Sequence, residues 1–175
     1  MGIRNYLIEG VSGAGKTSVA AELEHRGYHV LHGDRELAYK GNPLTGEPID
    51  YSALDEASLD IAYGHRHHVW DVAKVKKAMD DKTHRTTFFC GGSRNFSVFI
   101  ELFDAVFVLD VDAETLKQRL SLRATDEFGG KPEEQDFVLQ LLATKEDIPS
   151  DAIVIDATAP LSVVVNSILT RCGTH

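Results

Sequence analysis

The sequence predicts an α/β fold in which a five-stranded parallel sheet is covered by helices on both faces. Three observations carry this. Apolar runs of strand length alternate with helical patterns along the chain, as expected for strands that need helical crossovers to lie parallel. The first apolar run leads directly into GVSGAGKT, Gly10 to Thr17, a loop pattern that belongs between a strand and a helix. The length of 175 residues, with 43% hydrophobic content, suits a single domain, 1–175, with a sizeable core.

Taken in order, the first strand is expected from about Ile3 to Glu9, and the amphipathic helix after the loop from about Gly15 to Arg26. Tyr28 to His32 supplies the second strand, Thr86 to Cys90 the third, Ala105 to Val111 the fourth and Ala152 to Ile155 the fifth. Asp71 reads as the N-cap of VAKVKKAMDD and Asp112 as that of AETLKQRLSLR, because a short acidic side chain accepts from the free N–H groups of a first helical turn. Pro132 and Pro160 read as first-turn residues of the last two helices. Between these elements lies KGNPLTGEPID, Lys40 to Asp50, rich in turn formers. In ATDEFGGKP, Ala124 to Pro132, the Gly129-Gly130 pair predicts a hinge and a small mobile lid over about 124–132.

The composition excludes several partners. A net charge of -9 with no basic run argues against nucleic acid; Lys74, Lys76 and Lys77 read as the solvated face of a helix. Cys90 and Cys172 are far apart, and neither a leader pattern nor an 18-residue apolar run occurs, so a reduced, cytoplasmic protein without membrane contact is expected. Of His65, His67 and His68 only the first and last share a helix face, and no acidic or cysteine partner completes a ligand spacing, so no zinc site is expected.

GVSGAGKT has the makings of a phosphate cradle. Its backbone N–H groups form a nest with a helix dipole behind it. Gly10, Gly13 and Gly15 supply the positive-φ turns, with Ser12, Ala14 and Ser18 completing the cradle. Lys16 is placed to reach the β- and γ-phosphates, and the Thr17 hydroxyl to sit on Mg²⁺.

Over essentially its whole length the chain resembles the P-loop small-molecule kinases of the nucleoside-monophosphate-kinase and shikimate-kinase type. GVSGAGKT carries the resemblance, together with HGD (His32 to Asp34), FFCGGSRNF (Phe88 to Phe96) and FVLDVDAETLKQRL followed by IDATAP. The resemblance implies a P-loop NTPase three-layer sandwich with strand order 2-3-1-4-5, an ATP donor with Mg²⁺, and a small-molecule acceptor. It also implies a lid carrying arginines, and Asp156 and Ala159 of IDATAP beside the adenine. Arg66, in YGHRHHVWD, stands where shikimate kinases place a substrate-binding arginine. Two departures stand out. The third strand ends in Cys-Gly-Gly-Ser-Arg and not in the Asp-Gly-x-Pro-Arg of adenylate-kinase relatives, and Ser93 breaks the shikimate-kinase glycine triplet.

Phosphoryl transfer needs positioning, a metal and cations around the transferring group. Asp34, at the carboxyl end of a central strand, is placed to orient an acceptor hydroxyl as base or to hold Mg²⁺, with a plain turn cap as the structural reading. Arg94 is an acceptor-side cation, Arg35 is either a second one or a structural bridge to Asp34 or Glu36, and Gly91 and Gly92 let a ligand approach the backbone. Arg119 and Arg123 enter the lid as catalytic cations, or else form an exposed i,i+4 face. Tyr63 and Trp70 offer rings to a planar acceptor, although a core position is the commoner fate of such rings.

The expected activity is an ATP-dependent kinase for a nucleoside- or nucleotide-like hydroxyl compound. Shikimate-, gluconate- or antibiotic-type acceptors are the alternative, and monomer and homodimer both stay open. A nucleotide-gated regulator is the reading of another class. DEFG (Asp126 to Gly129) and TKED (Thr144 to Asp147) resemble GTPase motifs, but the first follows no apolar strand and the second continues a helical pattern.

Overall fold

The computed structural model describes residues 3–173. Strand β1 (Arg4–Glu9) shows why its sheet is buried on both faces. Tyr6 and Ile8 enter one core while Leu7 enters another, since successive strand side chains point to opposite sides. After β1 come helix α1 (Lys16–His25), strand β2 (His29–His32), the single turn α2 (Gly33–Glu36) and strand β3 (Ala38–Lys40). Helix α3 (Ile61–Arg66), strand β4 (His68–Trp70), helix α4 (Val72–Asp80) and strand β5 (Thr86–Cys90) follow. The chain closes with β6 (Ala105–Asp110), α5 (Ala113–Ser121), α6 (Pro132–Thr144), β7 (Ile153–Asp156) and α7 (Leu161–Cys172).

The main sheet runs β2-β5-β1-β6-β7, with every neighbouring pair parallel. Counted among its own five strands this is the order 2-3-1-4-5. On one face Tyr6, Ile8, Phe88 and Phe107 pack against Val19 and Leu23 of α1, Leu116 of α5, Val138 of α6 and Ile168 of α7. On the other, Leu7 and Phe89 pack against Trp70, Val75 and Met79, together with Phe99 and Phe103.

The helix starts follow the sequence signals. Asp71 accepts from the Lys74 N–H at 3.1 Å and Asp112 from that of Thr115 at 2.7 Å. Pro132 is the first residue of α6, whereas Pro160 sits one residue ahead of α7 as its cap.

Three local departures bear on the site. The histidine-rich segment is not one helix: α3 ends at Arg66, and His68–Trp70 pairs antiparallel with β3, Tyr39 opposite Val69. Val69 and Trp70, both favoured in strands, find a fully buried position there. The turn-rich loop after β3 is closed by a bridge between Gly41 and Pro48, and Asn42 Oδ1 accepts from the Leu44 N–H at 2.8 Å. Helix α6 stops at Thr144 because Lys145 is left-handed (φ 53°), so TKED leaves the helix instead of continuing it.

Residues 124–130 form consecutive tight turns, with Glu127 N–H donating to Ala124 O and Gly130 N–H to Glu127 O. A side chain at Gly130 would lie 1.9 Å from Ala124 O. Among the described residues, no helix is long and apolar enough to cross a membrane.

Candidate active site

Parallel register brings the chemistry to one edge. Ile8 of β1 lies opposite Cys90 of β5, and Cys90 opposite His32 of β2. The segments that follow these strands, Glu9 with the loop, Gly91 to Arg94, and Gly33 with Asp34, therefore emerge side by side, where open α/β sheets place their ligands.

Gly10, Gly13 and Gly15 all take positive φ, at 155°, 87° and 110°. Helix α1 opens without a side-chain cap, so its first N–H groups are left to an anion. Lys16 is turned back onto its own loop, donating to the carbonyls of Gly10 and Val11. Confinement lowers the pKa of its ammonium, against the pull of Glu9 and Asp34. Thr17 and Ser18 are exposed.

The two arginines of the α5 region do different things. Arg119 braces the loop from behind, donating to Ala14 O at 3.0 Å and to Ala157 O at 2.7 Å. Arg123 bonds the Ser12 hydroxyl at 2.7 Å and the Phe128 carbonyl, tying the turn segment to the mouth of the loop. Gly129 N–H is held by Glu134 Oε2 at 2.9 Å.

Asp34 sits on α2 and accepts from or shares a proton with His68 Nε2 at 3.0 Å. Burial works against its charge, but the hydrogen bond from His68 and the charge of Lys16 outweigh it, so its carboxyl is held below the usual aspartate value. Trp70 is the floor beneath it. A side chain at Gly33 would lie 2.0 Å from the Trp70 ring, so only glycine lets HGD close over that residue. The Trp70 backbone is in turn clamped by Asn95, at 3.0 Å and 2.9 Å, with Ser93 bonded to Asn95. Ser93, which interrupts the glycine run in the sequence, is thus a buried tie.

A cavity of about 570 Å³ opens from the loop toward α3 and α6. Its polar lining includes Glu9, Lys16, Asp34, Lys40, His65, His68, Arg94 and Asp147, and its apolar wall includes Leu59, Ile61, Val138, Leu141 and Ile148. Arg94 pairs with Asp147, which also meets His65 Nε2 at 2.5 Å. Lys40 donates to Gly64 O at 2.8 Å. Asp147 loses part of its charge preference to burial, yet the bonds from His65 and Arg94 hold its carboxyl below the ordinary value.

Of the residues singled out from sequence, Gly10, Ser12, Lys16, Asp34, Gly92 and Arg94 line this cavity. Gly91 packs behind it, a side chain there falling 3.1 Å from Asp34 Oδ1. Arg35 and Arg66 are exposed and line no part of it. Asp156 spends its carboxylate on Thr158, at 2.9 Å to the N–H, while Ala159 is half-buried beside the core. Tyr63 lies tilted against His67 at 4.1 Å and Trp70 stacks on Phe99 at 5.7 Å, and neither lines the cavity.

Sequence reasoning missed Glu9, Lys40, His65, His68 and Asp147. The two histidines do have acidic partners, but on other elements, where helical spacing cannot show them. The signal for Asp147 was TKED itself. Among the described residues, no group of three or more His, Cys, Asp or Glu side chains is arranged to hold a metal ion.

Fold and loop together define a P-loop nucleotide-binding α/β domain. A family model described as AAA domain matches residues 7–140, and the chain belongs to that family. Among solved structures it is similar to a sugar kinase from Janibacter sp. HTCC2649, at 24% identity over 98% of this chain and 95% of that one, with a TM-score of 0.61. It is also similar to a shikimate kinase from Bacteroides thetaiotaomicron (16%, 97% and 98%, 0.60) and to a deoxyadenosine kinase from M. mycoides (16%, 96% and 98%, 0.57). At such identities the likeness is one of fold. A comparison with curated proteins finds no match.

Proposed function

We propose that this protein is an ATP-dependent small-molecule kinase, a single catalytic unit over 1–175, that phosphorylates a hydroxyl of a small polar acceptor. One observation carries the reading: Lys16 of the phosphate loop and Asp34 open onto the same cavity, so a donor phosphate and an acceptor hydroxyl can meet in line there. The kinase names of the similar structures agree with it.

In this reading the loop N–H groups and Lys16, released from the Gly10 and Val11 carbonyls, hold the donor phosphates. Asp34, kept ionised by His68, accepts the hydrogen bond of the acceptor hydroxyl and aims its oxygen at the γ-phosphorus. It takes the hydroxyl proton as the new P–O bond forms and the bond from that phosphorus to the β,γ-bridging oxygen breaks, with ADP leaving. Arg123, already on Ser12, turns its guanidinium to the equatorial oxygens, and residues 124–132 act as the lid that excludes water. The exposed Thr17 hydroxyl and the Asp34 carboxylate are hard oxygen donors of the kind Mg²⁺ takes alongside phosphates, so the residues fit that ion. When bound, Mg²⁺ neutralises charge developing between the phosphates. Asp156 and Ala159 flank the adenine side.

With Tyr63 and Trp70 packed elsewhere, the cavity offers no paired rings to a nucleobase, which favours a sugar-, sugar-acid- or cyclitol-like acceptor. A nucleoside acceptor is the second reading, supported by the apolar wall and by Phe128. The test is acceptor-stimulated ADP release across D-gluconate, shikimate, simple sugars, nucleosides, nucleotides and aminoglycosides. A polyol or sugar acid should stimulate most. Nucleotide binding with no stimulation by any acceptor would instead support a nucleotide-gated regulator.

A further inference from the structure

One corner of the cavity holds two ionisable side chains with unmet hydrogen-bonding capacity. Glu9 is only 3% exposed; its Oε1 accepts from Gly10 N–H at 3.1 Å, while Oε2 is buried without a partner. Arg94, paired through one terminal nitrogen with Asp147, has its Nε buried without a partner as well. The two side chains flank Gly92, where a Cβ would lie 2.7 Å from Glu9 Oε1 and 3.3 Å from Arg94 Nη2, so the unmet Oε2 and Nε belong to groups on either side of the same glycine. Only a residue without a side chain leaves that corner open. A buried acceptor oxygen and a buried donor nitrogen left unmatched on neighbouring side chains are costly, and a hydroxyl, which both donates and accepts, has the chemistry to meet both kinds of group.

We infer that Glu9 and Arg94 form a second hydroxyl-binding corner, so that the acceptor is a polyol. One hydroxyl meets Asp34 and receives the phosphate; another donates to Glu9 and accepts from Arg94. The assignment of the first hydroxyl rests on the kinase reading above. Lys16 lies beside the Glu9 carboxyl and is turned back onto the loop carbonyls. Its move to the phosphates of a bound nucleotide opens the corner, so binding is to be measured with nucleotide present.

The experiment is calorimetric binding of D-gluconate, D-ribose, shikimate and adenosine, each beside a singly deoxygenated counterpart. It uses the full chain with Mg²⁺ and a non-hydrolysable ATP analogue. At least one polyol should bind wild type about 10- to 100-fold more tightly than its deoxy partner, the worth of a hydrogen bond to a charged group. Glu9→Gln should cut that preference below about threefold, and should weaken acceptor binding by more than it changes nucleotide affinity, because glutamine keeps a carbonyl oxygen for the Gly10 N–H. Arg94→Lys, which keeps the charge but loses Nε, is the second arm should Glu9→Gln fail to fold, and should blunt the same preference.

Equal affinity for both members of every pair in wild type, or an unchanged preference in the folded variants, overturns the corner. So does a parallel loss of nucleotide and acceptor. A polyol that binds with the expected preference but is not phosphorylated leaves the corner standing and removes the kinase reading. Transfer without hydroxyl preference does the reverse.

Discussion

In the proposed kinase reading, the donor and acceptor halves of this cavity are built in opposite ways. The donor half is one continuous stretch, Gly10 to Thr17, whose backbone N–H groups are the proposed phosphate ligands and whose shape is set by glycine conformations and by Arg119 behind it. The acceptor half is assembled from separate segments, with its charges matched in pairs across them: His68 with Asp34, His65 and Arg94 with Asp147. Backbone binding serves any nucleotide triphosphate, because it reads only the phosphates. Side chains held in mutual pairs serve discrimination, because a ligand must supply groups as well matched as those it displaces.

The sharpest way to break this comparison is at its two centres. Asp34→Asn should keep nucleotide affinity and lower kcat about 10²- to 10⁴-fold, the usual worth of base assistance. Lys16→Ala should lower turnover about 10²- to 10³-fold through lost charge stabilisation, with the melting temperature little changed. Steady-state kinetics with the best acceptor and thermal melting check both. An Asp34→Asn enzyme with wild-type kcat at saturating Mg²⁺ and acceptor would remove the base assignment and point to a phosphate-bearing acceptor.

Arg119 of α5 and Arg123 just beyond it sharpen the comparison within the donor half. Arg123→Ala should lower kcat about tenfold with modest change in nucleotide KM, since it reaches the mouth of the loop through Ser12. Arg119→Ala should instead raise nucleotide KM and lower the melting temperature by roughly 5 °C, because two backbone carbonyls lose their donor. Equal kinetic profiles for the two variants would contradict their separate placement.

The smallest effects are read by pH, at two carboxyls of the cavity that carry shifts of opposite sign. Asp147 has a depressed pKa in the folded chain, so its contribution to stability is complete above the ordinary aspartate pKa of about 3.9 and is lost as pH falls through its folded value. Glu9 has the opposite sign. Burial pushes its pKa from 4.5 to about 7, so it binds its proton more tightly in the folded state, and stability falls as pH rises between these values. Melting curves from pH 3 to 8 should therefore show a gentler acid loss in Asp147→Asn than in wild type. Glu9→Gln should lack the decline between pH 4.5 and 7. A wild-type profile in Glu9→Gln would mean that the carboxyl does not titrate there.

The five parallel strands, the helix starts at Asp71 and Asp112 and the phosphate loop were legible because each is a local matter: a period of apolar residues, a cap, or a run of glycines at fixed spacing. The position of Asp34 and Arg94 on the cavity was legible for a related reason, since strand ends in an open parallel sheet converge on one edge. What stayed hidden depends on contacts between residues far apart in sequence. Arg66 and Arg35 looked like ligand cations and point to solvent, whereas His65 and His68 looked unpartnered and find Asp147 and Asp34, 82 and 34 residues away. Trp70 and Ser93 looked like a ligand-stacking ring and a broken motif, and only their packing makes them the floor and the tie of the acceptor half. The sequence by itself therefore decided the sheet and the anion cradle, which are written in backbone conformation and short-range periodicity. Tertiary structure alone decided the acceptor cavity, because a side chain's charge acquires a function only from the partner that folding brings beside it.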